Sequence, residues 1–155
     1  MPTRDGTASA PITVKAANDG KAIIDGQGVR KTVDLQRSYW IVEGIVARNG
    51  LDNVFRVDGN HNVLRRVSAY DASDDINSSV IMFLGDDNLL EDALVAGTGR
   101  YMAEIFGGDR NTFRRVFAMW RGWSGRNFCG VAWPNGNNVG VYNASGSTVE
   151  NVIAY

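Results

Sequence analysis

The chain has 155 residues, a length that suits one domain with a continuous apolar core. Its formal net charge of −1 argues against electrostatic binding to nucleic acid or an anionic membrane, and no apolar run approaches the roughly 20 residues a membrane-spanning helix needs. The single Cys129 cannot form an internal disulfide, and abundant Gly with scarce Pro fits many tight turns between short strands.

Met1, Pro2, Thr3, Arg4, Asp5 and Gly6 lack the apolar core of a secretory signal. Further on, one six-residue phrase recurs at residues 42–47, 64–69, 90–95, 113–118 and 149–154. Each copy has an apolar residue, two mostly polar ones, an apolar residue, a variable one and a small apolar one. The anchors Val42, Leu64, Leu90, Phe113 and Val149 lie 22, 26, 23 and 36 residues apart by subtraction. Between the phrases run apolar stretches at 54–57, 80–84, 101–106 and 128–133, rich in Val, Ile, Phe and Tyr, which read as a second class of strand. No segment holds a helical period beyond about two turns, so essentially no helix is expected.

Gly59, Gly85 and Gly108 each stand five residues before the next anchor, and Asn62, Asn88 and Asn111 stand two before it. Gly supplies turn conformations closed to other residues, while Asn tolerates the left-handed region and bonds locally. Stacked in register, these Asn residues would form a ladder. Short strands at this period point to an all-β solenoid, a right-handed parallel β-helix of about six coils, with residues 1–155 as one domain. An antiparallel sandwich would give no reason for one phrase to recur, and the leucine-rich repeat pattern is not met.

Residues 6–16, followed by Ala22-Ile23-Ile24-Asp25-Gly26, and then Tyr39-Trp40-Ile41-Val42-Glu43-Gly44-Ile45, resemble early coils of the pectate-lyase-like superfamily, nearest its alginate and chondroitin lyase branch. The resemblance covers nearly the whole chain as architecture. It implies a secreted or cell-surface protein and an acidic polysaccharide as partner; no cofactor is expected from the residues, and calcium enters by the resemblance only. That branch uses a Lys/Arg pair with calcium beside a uronate carboxylate. Here the only lysines are Lys15, Lys21 and Lys31, in the first coils, so no Lys carries over to a mid-helix position. An Arg base, as in the pectate lyases, is left among Arg65, Arg66, Arg100, Arg114 and Arg121, and no catalytic set is assigned.

With the phrases stacked, their second position reads Glu43, Arg65, Glu91, Arg114, Glu150 and their third reads Gly44, Arg66, Asp92, Arg115, Asn151. Neighbouring strands are about 4.8 Å apart, so charges in adjacent coils can pair. The column is either a ladder that fixes coil register or an arginine track for an acidic polysaccharide. Exposed pairs contribute under about 1 kcal/mol each, which favours register over stability as the benefit.

Alternation places Ile45, Ala47, Val67, Ala69, Val116, Ala118, Val152 and Ala154 inside. It leaves Val46, Tyr70, Leu94, Phe117, Met119 and Ile153 outside, an apolar set for a surface that should face water. Either another chain or domain covers this face, or the in/out assignment slips by one, or the face is an apolar ligand groove. The chain also stops inside the fifth phrase without a capping segment. This suggests either the N-terminal part of a longer β-helix or ends that stack on other copies.

Three further features carry candidate chemistry. Asp71, Asp74 and Asp75 form an acidic loop that could bind calcium or be an ordinary turn. Gly85-Asp86-Asp87 resembles the paired aspartates of polygalacturonases, yet Gly59-Asn60-His61 occupies the same place one coil earlier, which makes both a repeat corner and His61 a turn residue. The long last interval holds Trp120, Arg121, Trp123 and Arg126, where aromatic rings beside guanidinium groups would suit sugar rings and carboxylates. Alternatively this loop folds its tryptophans onto the apolar outer face.

Two functions follow as expectations. One is a carbohydrate-associated β-helix resembling polysaccharide lyases, without a complete active site and with no metal ligands assigned. The other is a structural β-solenoid that self-associates, as a homo-oligomer or by end-to-end stacking.

Overall fold

The structure, a computed structural model, describes residues 2–124 and 136–155. These residues contain no helix. Numbered along the chain, nine strands form one sheet: β1 (Ile12–Lys15), β2 (Ala22–Asp25), β4 (Trp40–Glu43), β5 (Ile45–Arg48), β7 (Val63–Arg65), β8 (Ser68–Tyr70), β10 (Leu89–Thr98), β12 (Thr112–Gly122) and β14 (Thr148–Ala154). Five form the other: β3 (Val33–Leu35), β6 (Phe55–Val57), β9 (Ser79–Phe83), β11 (Tyr101–Phe106) and β13 (Asn137–Tyr142). Strands one turn apart pair in parallel throughout, so the chain is a parallel β-solenoid.

The solenoid makes about four turns, fewer than the six coils expected. The last interval passes through residues 125–135, outside the described residues, where the expected strand at 128–133 falls. The fifth strand of the second sheet is β13 instead.

The five phrases stack as expected. Val42 pairs with Leu64, Leu64 with Leu90, Leu90 with Phe113, and Phe113 with Val149. One earlier rung joins them, with Val14 beside Val42 and Lys15 beside Glu43. At the third position of each phrase the backbone turns left-handed, with φ of 70° at Gly44, 49° at Arg66, and 52° at Asp92, Arg115 and Asn151. One such residue bends each rung around an edge of the solenoid. For a non-glycine residue this conformation costs about 1–2 kcal/mol, and ion pairs from Arg66 and Arg115 offset it in part.

The opposite corner corrects two expectations. Gly59, Gly85 and Gly108 do not adopt positive φ, and neither do the three Asn residues; the left-handed residues there are Tyr39, His61, Asp87 and Arg110. Gly is needed for space. A Cβ on Gly85 would run into the carbonyl oxygen of Gly59 one coil below, and one on Gly108 into that of Gly85. The Asn residues form the expected ladder, fully buried: Trp40 N–H donates to Asn62 Oδ1 at 2.8 Å, Asn62 to Asn88 at 2.7 Å, and Asn88 to Asn111 at 2.8 Å. A second ladder runs beside it in the other direction. There Asn60 donates to Ser38, Asp86 to Asn60, Asp109 to Asp86, and Ser145 to Asp109, each backbone N–H reaching the side chain one coil earlier.

Between the sheets lies the core, built around Phe55, Phe83, Phe113, Leu64, Ile81 and Leu90, all shut off from water. Phe83 and Phe113 meet edge to face at 5.2 Å. Ile45, Ala47, Val67, Ala69, Val116 and Ala118 are buried, so the alternation holds through β12, while on β14 Val152 is half-buried and Ala154 is exposed.

Candidate functional site

The outer side of the second sheet carries a groove of about 480 Å³, built from Arg56, Arg100, Tyr101, Glu104, Phe106 and Tyr142. Strand register explains the assembly. Arg56, Met82, Glu104 and Gly140 stand in one column across β6, β9, β11 and β13, and Phe106 pairs with Tyr142. Gly140 has no side chain, which leaves room above Glu104, and a Cβ there would press on the Tyr101 ring. Phe106 and Tyr142 stack at 5.4 Å with their planes 11° apart, and both rings are exposed. The Arg100 guanidinium lies over the Tyr101 ring, 5.1 Å from its centre.

Glu104 is the chemical centre of this groove. It is 5% exposed, although it stands on the outer side of the sheet. Burial pushes its carboxyl above the ordinary carboxylate range, while a hydrogen bond from Ser79 Oγ at 2.5 Å and the charge of Arg100 pull the other way. The group therefore favours a neutral acid, able to donate a hydrogen bond, more than an exposed glutamate does. It is the one carboxylic acid among the described residues lining the groove.

Among the described residues, none of the expected sugar-binding set lines this groove, and Trp123 touches it only through Arg100. Arg100 also lies over the Trp123 ring at 5.7 Å, and Trp123 Nε1 donates to the Ile76 carbonyl at 3.0 Å. Trp120 points its Nε1 to the Gly99 carbonyl at 2.8 Å, and Arg121 is exposed. Arg126 lies outside the described residues. Both tryptophans are thus anchored to the loops that lead from the first sheet into the second.

The charged column forms ion pairs in two clusters. Glu43 is paired by Lys15 at 2.8 Å and Arg65 at 2.6 Å, and also by Arg66. Glu91 takes Arg114 at 2.6 Å together with Arg115, which itself holds Asp92 at 2.6 Å. Hydrogen bonds from Lys15 and then Arg65 hold the Glu43 carboxyl down at about 2. With its arginines engaged by acids in this way, the column is a register ladder rather than an open track for an anionic chain.

The outward apolar set forms two columns on the first sheet. Val46, Leu94, Phe117 and Ile153 share one with Ile23 and Ser68, and Tyr70 and Met119 share the next with Arg48 and Ala96. Exposure in the first column is lowest in the middle, at half-buried Val46 and Leu94, and reaches 55% at Ile23 and 64% at Ile153.

The calcium implied by the resemblance finds no fit. Asp71 Oδ1 accepts from Thr98 N–H, Asp74 Oδ1 from Ser124 N–H, and Asp75 Oδ1 from Ser73 Oγ. Among the described residues no group of three or more His, Cys, Asp and Glu side chains could hold a metal ion. Asp86 and Asp87 belong to the repeat corner. Asp86 is a rung of the second ladder, and Asp87 accepts from Nε and Nη2 of Arg110 at 2.8 and 2.7 Å, with His61 beside it.

No family model, curated protein or solved structure matches this chain. Sequence reasoning missed Arg56, Tyr101, Glu104, Phe106 and Tyr142 as site residues. One signal was available: Glu104 interrupts the otherwise apolar run from Tyr101 to Phe106, and a carboxylate in such a strand asks for an explanation.

Proposed function

We propose that this protein binds an acidic glycan along the outer side of its second sheet, without cleaving it. The observation that carries the reading is Glu104, a buried acid opening into a groove walled by Tyr101, Phe106 and Tyr142. Aromatic faces give sugar rings an apolar platform, and a few convergent polar groups fix orientation. Arg100, bonded to Asn77 at 2.9 Å, and Arg56, paired through Nε with Asp58 at 2.9 Å, place guanidinium charge at the groove, which favours an anionic sugar over a neutral one. Burial raises the Glu104 pKa, so this acid opposes a nearby uronate carboxylate less than an exposed glutamate would. The pectate-lyase-like resemblance of residues 6–16, 22–26 and 39–45 supports a polysaccharide partner from the same direction. Binding is favoured over hydrolysis because glycosidases use a pair of carboxyl groups and, among the described residues, this groove presents one.

Isothermal titration calorimetry with oligogalacturonate, oligoalginate and a neutral cello-oligosaccharide tests the reading. The acidic oligomers are expected to bind, the neutral one weakly. Tyr142→Ala, at an exposed position where folding is not at stake, should weaken binding roughly tenfold, corresponding to about 1.4 kcal/mol. No heat with either acidic oligomer, or affinity unchanged in Tyr142→Ala, would overturn it.

A further inference from the structure

We propose that Trp123, which does not line the groove, is a positioning residue for the glycan site: it fixes the Arg100 guanidinium and so sets how strongly the groove prefers an anionic sugar over a neutral one. This inference rests on the glycan reading above and names the device behind its charge selectivity.

Arg100 stands just before β11, where its backbone is tied to the coils on both sides. Its N–H donates to the Ser78 carbonyl at 2.8 Å, and its carbonyl accepts from the Asn137 N–H at 2.8 Å. The side chain is held from several directions. Its guanidinium carbon lies 5.1 Å from the centre of the Tyr101 ring and 5.7 Å from that of Trp123, and Nη1 donates to Asn77 Oδ1 at 2.9 Å. Guanidinium groups rest favourably on aromatic faces, and the indole is the strongest such platform.

Trp123 is itself pinned. Its Nε1 donates to the Ile76 carbonyl at 3.0 Å, and the next residue, Ser124, donates its N–H to Asp74 Oδ1 at 2.9 Å. These contacts close a circuit. Trp123 bonds Ile76, Asn77 beside it accepts from Arg100, and Arg100 lies over Trp123. Segments far apart in sequence meet there: the loop between β8 and β9, the start of β11 and the residues just after β12. Asn77, Arg100 and Tyr101 line the groove, whereas Trp123 reaches it through Arg100.

The consequence concerns order. A long arginine side chain that rotates in solvent must be immobilised when it meets a carboxylate, and the lost entropy weakens binding. A guanidinium already fixed by its surroundings loses less, so its charge counts more fully toward an acidic ligand. A neutral sugar forms no ion pair with it, so the Trp123 contact bears on acidic ligands far more than on neutral ones.

Calorimetry on the full chain with oligogalacturonate, oligoalginate and a neutral cello-oligosaccharide, repeated in Trp123→Leu, Trp123→Phe and Asn77→Ala, tests it. Circular dichroism checks that each variant folds. Trp123→Leu should lower the acidic-over-neutral preference roughly tenfold, with the neutral affinity changed less than about twofold. Trp123→Phe keeps an aromatic face for the guanidinium and should retain most of the preference. Asn77→Ala, at an exposed position, opens the circuit on its other side and should move the preference in the same direction as Trp123→Leu. Acidic oligomers bound by the unmodified chain, with the same preference in Trp123→Leu, would overturn this inference and leave the glycan reading standing. An equal fall in acidic and neutral affinity would overturn it too, because a general loosening of the groove produces that result. No binding of either acidic oligomer to the unmodified chain would overturn both.

Discussion

Asn88 Oδ1 accepts the backbone N–H of Asn62 at 2.7 Å across one coil, with both residues shut off from water. Asn88 in turn donates its own N–H to Asn111, so each Asn satisfies the buried corner of a neighbouring coil. Replacing Asn88 by Leu keeps the volume roughly but orphans the Asn62 donor. A buried unsatisfied donor costs about 1–3 kcal/mol, and urea unfolding of Asn88→Leu should show a loss of that order. A loss below about 0.5 kcal/mol, the range of a bland surface change, would mean the ladder contributes little.

The stacked glycines give a steric prediction. In Gly85→Ala the new methyl meets the Gly59 carbonyl oxygen, a backbone atom that cannot swing aside. Overpacking of this kind costs about 1–3 kcal/mol or more. Thermal unfolding of Gly85→Ala should show a clearly lowered Tm, and an unchanged Tm would show that the corner can spread.

Acid should act on the ion-pair ladder in a defined direction. Glu43 is held at about 2 against an ordinary 4.5 by Lys15 first and Arg65 second. Because the folded value is the lower one, its stabilisation is present above pH 4.5 and is lost as pH falls through about 2. Carboxyl carbon NMR should find Glu43 still ionised at pH 3.5, and Lys15→Met should move its titration upward. A midpoint near 4.5 in the unmodified chain would contradict the ladder.

Glu104 has the opposite sign. Burial raises its pKa, so the neutral acid persists above the ordinary range and ionises as pH rises through the folded value. An anionic sugar should then bind more weakly as pH rises through that window, since two negative charges share the groove. In Glu104→Gln this part of the pH dependence should vanish. The same slope in the variant would remove Glu104 from the binding site.

The stacking of Val42, Leu64, Leu90, Phe113 and Val149 was legible in the sequence because one phrase repeats with one periodic physical demand, an apolar anchor followed by charges and a small inward residue. The Lys15 rung was hidden because residues 17–21 interrupt the phrase after Ala16. The left-handed corner could have been read from its third position, where Gly44, Arg66, Asp92, Arg115 and Asn151 include no β-branched residue. The groove resisted reading for a different reason. Its aromatic walls come from β11 and β13, whose coils carry no shared phrase, and only the register between strands separated by the long last interval brings Phe106 against Tyr142. The expectation for Trp120, Arg121, Trp123 and Arg126 followed local composition, which shows that aromatic and basic residues are near in sequence but not which way a loop anchors them.

The most direct test of glycan binding at the second sheet is methyl NMR of the methionines during titration with oligogalacturonate. Met82 lies on the groove, Met102 is buried in the core, and Met119 stands on the outward side of the first sheet beside Trp120. Glycan binding in the groove predicts a saturable shift at Met82, with Met102 and Met119 unmoved. A silent Met82, or a shift at Met119 in its place, would contradict it.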